Sequence, residues 1–487
     1  MSVRVADIQA ALNRHGLLAA VNGALPAEAA GISDDSRKVS RGDLFVAVRG
    51  WNSDGHDFLD AAAERGASVA IVEDPARTSL PALVVREGRR AAAIAAGTAY
   101  GDPARNLTLL GVTGTNGKTT TTSIMRHLLD DGAGSSASIG TLGVLVGSEG
   151  AVLPGGGGLT TPGPVELQRI LRELVDRGVK TVAMEVSSHS LDQRRIDGLE
   201  FDTVVFTNLT RDHLDYHRTM DAYLEAKSRL VEYLKHDGTT VINADAKEWA
   251  ALRAPARRLT FGTRAAADLG AREIQYGSRG SSWRLVTPDG SADVNLPLIG
   301  EVNVENGLAA AAAAFALGRS VASIADRLAS VPQVAGRLEI VSRRPTVLRD
   351  YAHTPDALER TLKTARAFTE GKLIVVFGCG GDRDKGKRPL MGEIAERDSD
   401  CAIVTSDNPR TEDPDAIIDD IVAGMRGSNH ERVTDRLAAI QRAIDLAEDG
   451  DIVLLAGKGH ETYQIRGTTS YPFDEKEIVR ELTGSHS

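Results

Sequence analysis

A glycine-rich segment that carries one lysine and several threonines has the residue types needed to bind phosphate. Its members are Gly114, Thr115, Asn116, Gly117, Lys118, Thr119 and Thr120. Glycines let backbone N–H groups turn toward an anion, and the helix predicted to begin at Lys118 adds partial positive charge at its N-terminus. Lys118 would reach the terminal phosphates and the Thr119 hydroxyl would ligate Mg²⁺. Because Val112 stands where the common motif has its first glycine, the segment is a variant phosphate-binding loop, and a simple helix-initiating turn is the alternative.

A second candidate is a lysine inside an apolar stripe. Between residues 219 and 236 the apolar side chains recur at helical spacing, and Lys227 lies within that stripe. Either its stem packs on the core while the amine reaches water, or the whole side chain is buried. Burial would lower the pKa of the amine and let it capture CO₂ as a carbamate, an anion able to bind Mg²⁺. Glu185, at the end of a predicted strand, and the pair Asp212-His213 are candidate metal ligands; an exposed carboxylate and a surface histidine are the alternatives.

The composition excludes several classes of protein. The chain has 487 residues and a net charge of −10, with aromatic residues at 4%, so binding to nucleic acid or to an anionic membrane is not expected. The longest apolar run, 308–317, is too short to span a bilayer, and residues 1–10 do not have the pattern of a signal peptide. Two cysteines, Cys379 and Cys401, cannot form a disulfide framework and suit the cytoplasm.

Short apolar runs alternate with helical patterns along most of the chain, which predicts an α/β protein with mostly parallel sheets. Strands are predicted at 43–48, 67–72, 82–85, 107–112, 179–186, 202–207, 338–341, 373–377, 402–405 and 452–455. Helices are predicted at 91–100, 118–130, 219–236, 356–368, 414–425 and 435–447. The break at Gly101-Asp102-Pro103 and the strand series that starts near Gly336 divide the chain into domains 1–101, 102–335 and 336–487, the last with a doubly wound sheet.

The motifs of the chain, in their order, resemble those of the Mur ligase family over nearly the whole length. Up to residue 306 the resemblance is carried by Asp35-Ser36-Arg37, the glycine-rich segment, Thr160-Thr161-Pro162, Glu185-Val186-Ser187-Ser188-His189, Thr207-Asn208-Leu209-Thr210-Arg211-Asp212-His213, Ala226-Lys227 and Asn303 to Asn306. Beyond it the markers are Gly336-Arg337, Asp350-Tyr351-Ala352-His353-Thr354-Pro355-Asp356, Gly378-Cys379-Gly380-Gly381-Asp382-Arg383-Asp384, Asp407-Asn408-Pro409-Arg410 and Gly457-Lys458-Gly459-His460-Glu461. The resemblance implies a three-domain Mur ligase architecture: an N-terminal UDP-MurNAc-binding domain, a central P-loop ATPase domain with a parallel sheet, and a C-terminal Rossmann-like domain that binds an amino acid.

The resemblance also implies ATP as a co-substrate, two Mg²⁺ ions and a CO₂-derived carbamate on Lys227, that is, N6-carboxylysine. Lys227 and His213 would hold one Mg²⁺, and Thr119 and Glu185 the other. The implied catalytic residues are Lys118, Glu185, His213 and Lys227. The implied ATP-binding set consists of the phosphate loop, 114–120, and five further residues: Asn303, Asn306, Arg337, His353 and Asp356.

Two further sets of residues are implied for the other substrates. The set for the muramoyl-dipeptide comprises Asp34, Ser36, Trp51, Asn52, Ser53, Thr160, Thr161, Ser187, Gln193 and Arg195. Leu159 stands where some relatives carry Asn, so no polar side-chain contact is expected there. The set for the amino acid comprises Arg383, Asp407, Asn408, Pro409, Arg410, Gly457 and Glu461. These follow predicted strands, at the edge where open parallel sheets form a ligand crevice; for 407–410, a capped turn before the helix at Pro414 is the alternative.

The Asp-Asn-Pro-Arg string at 407–410 resembles that of family members that add meso-2,6-diaminopimelate to UDP-MurNAc-L-Ala-D-Glu through an acyl phosphate. Arg410 and Arg383 suit a distal carboxylate, and Glu461 suits a distal ammonium. L-Lysine lacks that carboxylate and would leave both arginines unpaired. The same reaction with L-lysine, a folylpolyglutamate-type ligase and a nucleotide-binding switch without catalysis remain as alternatives. The expected partners are small molecules, with no nucleic acid and no membrane, and the expected state is a monomer.

Overall fold

The computed structural model of the protein describes residues 2–50, 53–156, 158–253 and 257–484. The chain divides into a first unit, Met1–Gly270 with Val286–Ser291 and Asn306–Arg327, and a second unit, Ala271–Leu285 with Ala292–Glu305 and Leu328–Ser487. Each unit contains a mostly parallel sheet with helices packed on it, which confirms the predicted α/β class. Within the described ranges, no helix is long and apolar enough to cross a membrane.

The first unit opens with a five-stranded sheet in the order β2-β7-β6-β5-β4, beside the short pair β1 and β3. The strands are β1 (Val3–Arg4), β2 (Leu18–Asn22), β3 (Glu28–Ala29), β4 (Ile32–Ser33), β5 (Leu44–Val46), β6 (Val69–Val72) and β7 (Ala82–Val85). The helices are α1 (Val5–Arg14), α2 (Leu59–Glu64) and α3 (Gly88–Ala99), with 3₁₀ turns at Ser36–Lys38, Gly55–Phe58, Pro75–Arg77 and Pro103–Asn106. The alanine run of α3 is buried in one core with the apolar face of α1, because small side chains let the helix lie close to its neighbours.

A second sheet of the first unit carries the phosphate loop. Its strands are β8 (Thr108–Thr113), β9 (Ser136–Gly140), β10 (Gly143–Val146), β11 (Ala151–Leu153), β12 (Thr181–Glu185), β13 (Phe201–Phe206), β14 (Leu234–Asn243) and β15 (Arg257–Gly262), in the order β11-β10-β9-β12-β8-β13-β14-β15. The helices are α4 (Lys118–Leu128), α5 (Pro164–Asp176), α6 (Ser188–Asp192), α7 (Leu214–His217) and α8 (Met220–Ser228), with 3₁₀ turns at Arg229–Tyr233 and Lys247–Ala251. Strand β8 lies between β12 and β13 and is parallel to both, with Val112 opposite Glu185 and Thr113 opposite Phe206. The carboxyl ends of these three strands therefore meet at one edge of the sheet.

The predicted helix at 219–236 is too long. Helix α8 ends at Ser228, a 3₁₀ turn follows, and β14 begins at Leu234. The β-branched run at 239–242 pairs with β13 on one side and β15 on the other, and these ladder hydrogen bonds outweigh the helical periodicity that continues to Leu234. Lys227 still lies in the helical part.

Residues 269–328 form β16 (Leu269–Gly277), β17 (Gly280–Thr287), β18 (Gly290–Leu296), α9 (Glu301–Ala316) and α10 (Val321–Leu328). These strands lie outside the uninterrupted apolar runs on which the strand predictions rest, because β17 and β18 alternate buried with exposed residues. The apolar run 308–317 lies largely in α9, whose alanines at 309–314 are buried.

The second unit contains a six-stranded sheet in the order β19-β20-β24-β21-β22-β23, parallel except for β19. Its strands are β19 (Glu339–Arg343), β20 (Thr346–Asp350), β21 (Leu373–Phe377), β22 (Cys401–Val404), β23 (His430–Arg432) and β24 (Ile452–Ala456), followed by the hairpin β25 (Tyr463–Arg466) and β26 (Thr469–Pro472). Its helices are α11 (Pro355–Arg366), α12 (Lys387–Asp398), α13 (Pro414–Val422), α14 (Arg436–Leu446) and α15 (Glu475–Thr483). In register, Asp350 lies opposite Ala456 and Phe377 opposite Val404, so the loops that follow all start at the same edge. This is the predicted doubly wound sheet.

Candidate active site

The phosphate loop joins β8 to α4 and is shaped by two glycines in left-handed conformations. Gly114 has φ 151° and Gly117 has φ 83°. A Cβ on Gly117 would lie 2.3 Å from Oδ1 of Asn306, so a side chain does not fit there. The loop is held from the end of β13, because the backbone N–H of Thr115 donates to the carbonyl of Asn208 (2.8 Å) and the N–H of Asn116 donates to Asn208 Oδ1 (2.9 Å). The predicted strand, loop and helix are thus present in order.

Two lysine amines meet at one carbonyl of this loop. Lys118 Nζ donates to the carbonyl oxygens of Gly114 (2.9 Å) and Thr115 (2.8 Å). Lys227 Nζ also donates to the Gly114 carbonyl, at 2.7 Å, and lies 4.5 Å from the centre of the Tyr223 ring. Lys227 is only 1% exposed, so the alternative in which its amine reaches water is wrong. Burial, and next the charge of Lys118, hold the pKa of Lys227 well below the ordinary lysine value.

Glu185, the last residue of β12, is a buried carboxylate rather than an exposed strand end. Its side chain is 1% exposed. Oε1 accepts from the backbone N–H of Thr141 (2.8 Å) and Oε2 accepts from the Thr141 hydroxyl (3.2 Å). A Cβ on Gly140 would lie 2.1 Å from Oε1, so the glycine provides the space that the carboxylate fills. The group is therefore held in one orientation beside the phosphate-loop strand.

Aromatic and imidazole rings cluster around His213, which precedes α7. The His213 ring lies 4.7 Å from that of His189, edge to face, and His189 also contacts Tyr216 and His217 at 4.3 and 5.5 Å between ring centres. The His213 side chain is 45% exposed. Burial lowers the pKa of His189 to about 4, so this imidazole is neutral at pH 7. His217 is buried and its Nε2 shares a hydrogen bond with the Ser188 hydroxyl at 2.9 Å.

Four of the residues implied for the dipeptide lie together at the carboxyl end of β12. The Thr161 hydroxyl donates to the carbonyl of Glu185 (2.9 Å) and accepts from the backbone N–H of Ser187 (3.1 Å). Arg195 donates to the Thr161 carbonyl (3.0 Å) and to Gln193 Oε1 (3.1 Å). These contacts join the predicted dipeptide residues to the backbone of the predicted metal ligand.

Asp34, Ser36 and Ser53 of that set lie in loops of the five-stranded sheet, whereas Thr160 lies beside the phosphate-loop sheet. Oδ2 of Asp34 lies 3.6 Å from the position of a Cβ on Gly163, the residue that precedes α5. Ser36 begins a 3₁₀ turn, and the carbonyl of Ser53 accepts from the N–H of Gly50 at 2.9 Å. Thr160 lies beside Thr141, with 3.4 Å between the two hydroxyls. Leu159 is 47% exposed, and the predicted contact residues Trp51 and Asn52 lie outside the described residues.

The predicted ATP-binding residues beyond the loop are divided between the two units. Asn306 belongs to the first unit, where its Oδ1 accepts from the Thr121 hydroxyl at 3.4 Å. Asn303 belongs to the second, where its Nδ2 donates to the carbonyl of Ile299 at 2.9 Å.

The rest of that set belongs to the second unit, where Arg337 and His353 lie against Tyr351. The Arg337 guanidinium lies 4.9 Å over the Tyr351 ring, and His353 Nδ1 lies 2.9 Å from the Tyr351 carbonyl. The His353 ring stacks on the same tyrosine, with 4.6 Å between ring centres. Asp356 is exposed in the first turn of α11.

The predicted amino-acid residues gather at the carboxyl edge of the second unit's sheet. Asn408 Nδ2 donates to Glu461 Oε2 at 2.9 Å. Gly457 has φ 112°, and a Cβ on it would lie 2.8 Å from Asp407 Oδ2. A Cβ on Gly380 would lie 3.1 Å from a guanidinium nitrogen of Arg410 and 3.7 Å from Cγ of Arg383, so both arginines approach the same backbone.

A turn precedes the helix at Pro414, as the alternative for 407–410 states: the backbone N–H of Glu412 donates to the Pro409 carbonyl at 3.1 Å. Asp413 caps that helix, since its side chain accepts from the N–H of Asp415. Asp407, Asn408 and Pro409 are buried at the edge of the sheet, so the turn does not exclude a role in binding.

Several residues that shape the site are not evident from the sequence. Thr141 orients Glu185, and Tyr223 lies beneath the amine of Lys227. Tyr216 accepts from Gln193 Nε2 (3.4 Å) and donates to an Asp192 carboxylate oxygen (2.7 Å). Neither a lone threonine nor a tyrosine near a histidine motif signals such a contact, because the partner is distant in sequence. Within the described ranges, no three His, Cys, Asp or Glu side chains form a group able to hold a metal ion.

Comparison with known proteins finds family models that match three successive parts of the chain. Three family models match: "Mur ligase family, catalytic domain" at residues 28–105, "Mur ligase middle domain" at 112–314 and "Mur ligase, glutamate ligase domain" at 336–459. UDP-N-acetylmuramoyl-L-alanyl-D-glutamate–2,6-diaminopimelate ligase of Geobacillus kaustophilus is 46% identical over 458 residues, which is 92% of this chain and 93% of the relative. The ligase of the same name from Geobacter metallireducens is 46% identical over 486 residues, 94% of each chain. A solved structure of a protein with this name aligns with a TM-score of 0.69 at 33% identity, covering 99% of both chains. On this similarity, the chain belongs to the Mur ligase family.

Proposed function

We propose that the chain is an ATP-dependent ligase that adds meso-2,6-diaminopimelate to UDP-MurNAc-L-Ala-D-Glu, an amide-bond-forming step of peptidoglycan synthesis. The observation that carries the proposal is the buried amine of Lys227 on the Gly114 carbonyl, because a phosphate loop used only for nucleotide binding has no need of a second, desolvated lysine. The names of the relatives supply the substrates.

The reaction proceeds in two transfers. A carboxylate oxygen of the D-glutamyl residue attacks the γ-phosphorus of ATP, the bond to the bridging oxygen breaks, and ADP leaves with its electron pair. The amine of diaminopimelate then attacks the acyl carbon, inorganic phosphate leaves, and the amine loses a proton. Lys118 offsets the repulsion between carboxylate and triphosphate, and the rigid loop positions the phosphates.

Two Mg²⁺ ions fit the donors that the chain provides. Thr119 and Glu185 offer the oxygen ligands that Mg²⁺ prefers, and His213 and a carbamate on Lys227 would hold the second ion. Since the described residues contain no group of three metal-binding side chains, each ion would be completed by phosphate oxygens or water, as is usual for Mg²⁺ at nucleotides. Bound Mg²⁺ would neutralise charge on the transferring phosphoryl group.

The carbamate on Lys227 is supported by the surroundings of the amine. A lysine whose pKa is lowered has a neutral amine available, and addition of CO₂ to it forms a carbamate and releases one proton. The product places an anion beside the Lys118 ammonium. A protonated Lys227 would instead put two ammonium groups on one carbonyl, and that repulsion is, after burial, the second cause of its lowered pKa.

The other substrates are assigned to the residue clusters described above. Thr160, Thr161, Ser187, Gln193 and Arg195 would hold the dipeptide. The uridine diphosphate part would lie at Asp34, Ser36 and 51–53. Asn303, Asn306, Arg337, His353 and Asp356 would position ATP. We retain the division into domains 1–101, 102–335 and 336–487.

Diaminopimelate is favoured over L-lysine by the two arginines of the amino-acid set, Arg383 and Arg410. Arg383 and Arg410 approach the same Gly380 backbone and together suit a distal carboxylate. Lysine would leave these guanidinium groups without an anion, and a site built for a polar group rejects an analogue that lacks it.

Substrate comparison tests the proposal. Purified protein is mixed with UDP-MurNAc-L-Ala-D-Glu, ATP and Mg²⁺, and phosphate release is measured with meso-diaminopimelate and with L-lysine. Release with lysine and none with diaminopimelate would overturn the specificity. Release only with a folate substrate and glutamate would favour a folylpolyglutamate-type ligase.

A nucleotide-binding switch is the non-enzymatic alternative. A Lys227→Ala variant that still binds ATP but no longer turns over supports the ligase. A switch predicts no phosphate release by the wild type with any muramoyl substrate. We also propose that the protein acts in the cytoplasm, since Cys379 is buried against Met391 and unpaired thiols suit a reducing compartment. The monomeric state stays a prediction.

A further inference from the structure

Lys458 is a fully buried lysine of the second unit that has no role in the mechanism described above. Lys458 follows β24 and is 0% exposed. It lies between Gly457 and Gly459, which have φ values of 112° and 54°. A Cβ on Gly459 would lie 2.7 Å from Cβ of Tyr351, so the loop turns tightly against its neighbour and Lys458 is enclosed. A buried ammonium is costly unless it is paired and hydrogen-bonded.

The Lys458 amine is bonded to two residues of the proposed amino-acid site. Nζ donates to Asn408 Oδ1 at 3.1 Å and to Glu461 Oε2 at 3.4 Å. It also lies 5.8 Å over the ring of Tyr463. Both acceptors belong to the site, so the position of this cation and the positions of the two ligand-facing groups depend on one another.

These contacts fix the orientation of the Asn408 amide. Its Oδ1 accepts from Lys458 and also from the backbone N–H of Ile465 at 2.9 Å. Its Nδ2 donates to Glu461 Oε2 at 2.9 Å. A flipped amide would bring its NH₂ group against the ammonium and its oxygen against the carboxylate, which is unfavourable at both ends.

Glu461 is thereby bound through one oxygen. Oε2 accepts from both Lys458 and Asn408, whereas no described residue donates a side-chain or backbone hydrogen bond to Oε1. The side chain is 17% exposed. A carboxylate held this way keeps its second oxygen for a cationic group of a ligand.

We propose that Lys458 is a positioning residue for amino-acid recognition: its buried ammonium holds Asn408 and Glu461 so that the free carboxylate oxygen binds the distal ammonium of the amino-acid substrate. The inference rests on the proposed function and adds a residue that discriminates between amino acids. A purely structural lysine would affect all substrates alike, whereas a positioning lysine affects those that carry a distal ammonium.

The experiment compares two amino acids in the phosphate-release assay with the full-length protein. Meso-diaminopimelate carries the distal ammonium; L-2-aminopimelate keeps the distal carboxylate and the reacting amine but lacks that ammonium. In Lys458→Met, kcat/KM for meso-diaminopimelate should fall by about 10- to 100-fold, the scale of a hydrogen bond to a charged group. For L-2-aminopimelate it should fall by about threefold or less, and KM for ATP should not change. Lys363→Met, which removes an exposed lysine charge from the same unit, should leave both values unchanged.

Equal losses for both amino acids in Lys458→Met, or a rise in KM for ATP, would overturn the proposal. If thermal unfolding shows that the Lys458→Met variant does not fold, the same two amino acids are compared in Lys458→Gln. Glutamine still donates to Asn408 but is uncharged, so a smaller selective loss supports the proposal and an unselective loss overturns it. Absence of turnover by the wild type with meso-diaminopimelate would instead refute the proposed function.

Discussion

Replacing Lys227 with methionine should stabilise the fold while abolishing turnover. The side chain is 1% exposed, and no described carboxylate forms an ion pair with its amine. Methionine has a similar volume, and the Gly114 carbonyl keeps its bond from Lys118, so no acceptor is left unpaired. Exchanging a buried charge for an apolar residue is often neutral or stabilising by about 1–4 kcal/mol, so we expect the free energy of unfolding to stay or rise within that range. Turnover should fall by at least about 10²-fold, the scale for losing one preorganised electrostatic contact.

The sign of the pH dependence follows from the lowered pKa of Lys227. Between that pKa and the ordinary value of 10.5, the unfolded chain binds more protons than the folded one, so the stability of the wild type rises with pH. The methionine variant lacks this dependence, and its advantage should be largest at low pH and shrink toward pH 10.5. Urea unfolding at several pH values measures the difference, and added bicarbonate should stabilise only the wild type. A Lys227→Met protein that keeps more than a tenth of wild-type turnover, or that is less stable at every pH, would refute the reasoning.

Three other substitutions act on separate parts of the site. Gly117→Ala adds a Cβ 2.3 Å from Asn306 Oδ1 and a left-handed alanine that costs about 1–2 kcal/mol, so KM for ATP should rise at least tenfold in steady-state assays while KM for the amino acid stays constant. Gly140→Ala adds a Cβ 2.1 Å from Glu185 Oε1 and so displaces that carboxylate. The Mg²⁺ concentration that gives half-maximal rate should therefore rise about 10- to 100-fold. An unchanged Mg²⁺ titration would show that Glu185 is not a metal ligand. Arg410→Lys loses planar two-point binding of a carboxylate, so kcat/KM for meso-diaminopimelate should fall about 10- to 100-fold, and an equal fall for an amino acid without a distal carboxylate would contradict that role.

Local patterns in the sequence predict the phosphate loop and ten of the strands, but not the alternating strands β17 and β18 or the strands β9, β10, β14 and β15 of the phosphate-loop sheet. Every predicted strand is present with its ends within two residues of expectation, because runs of apolar residues at strand length have few other ways to be buried. The helix predicted at 219–236 fails at its end, because Leu234 continues the helical periodicity but belongs to a strand that pairs on both sides. The glycines of the phosphate loop are recognisable since their backbone role is local.

The order of the motifs along the chain is also sufficient to recognise the family, because that order can be seen without knowledge of the fold. What the sequence leaves undecided is the environment of single side chains. Whether Lys227 is buried, and whether Lys458 takes part in the amino-acid site, depends on partners far along the chain: Lys227 and Gly114 are 113 residues apart, and Lys458 and Asn408 are 50 apart. Residue types and spacing determine what each segment can do; only the packing of sheets and loops brings distant carbonyls, amides and carboxylates within hydrogen-bond distance, and that distance sets charge, pKa and specificity.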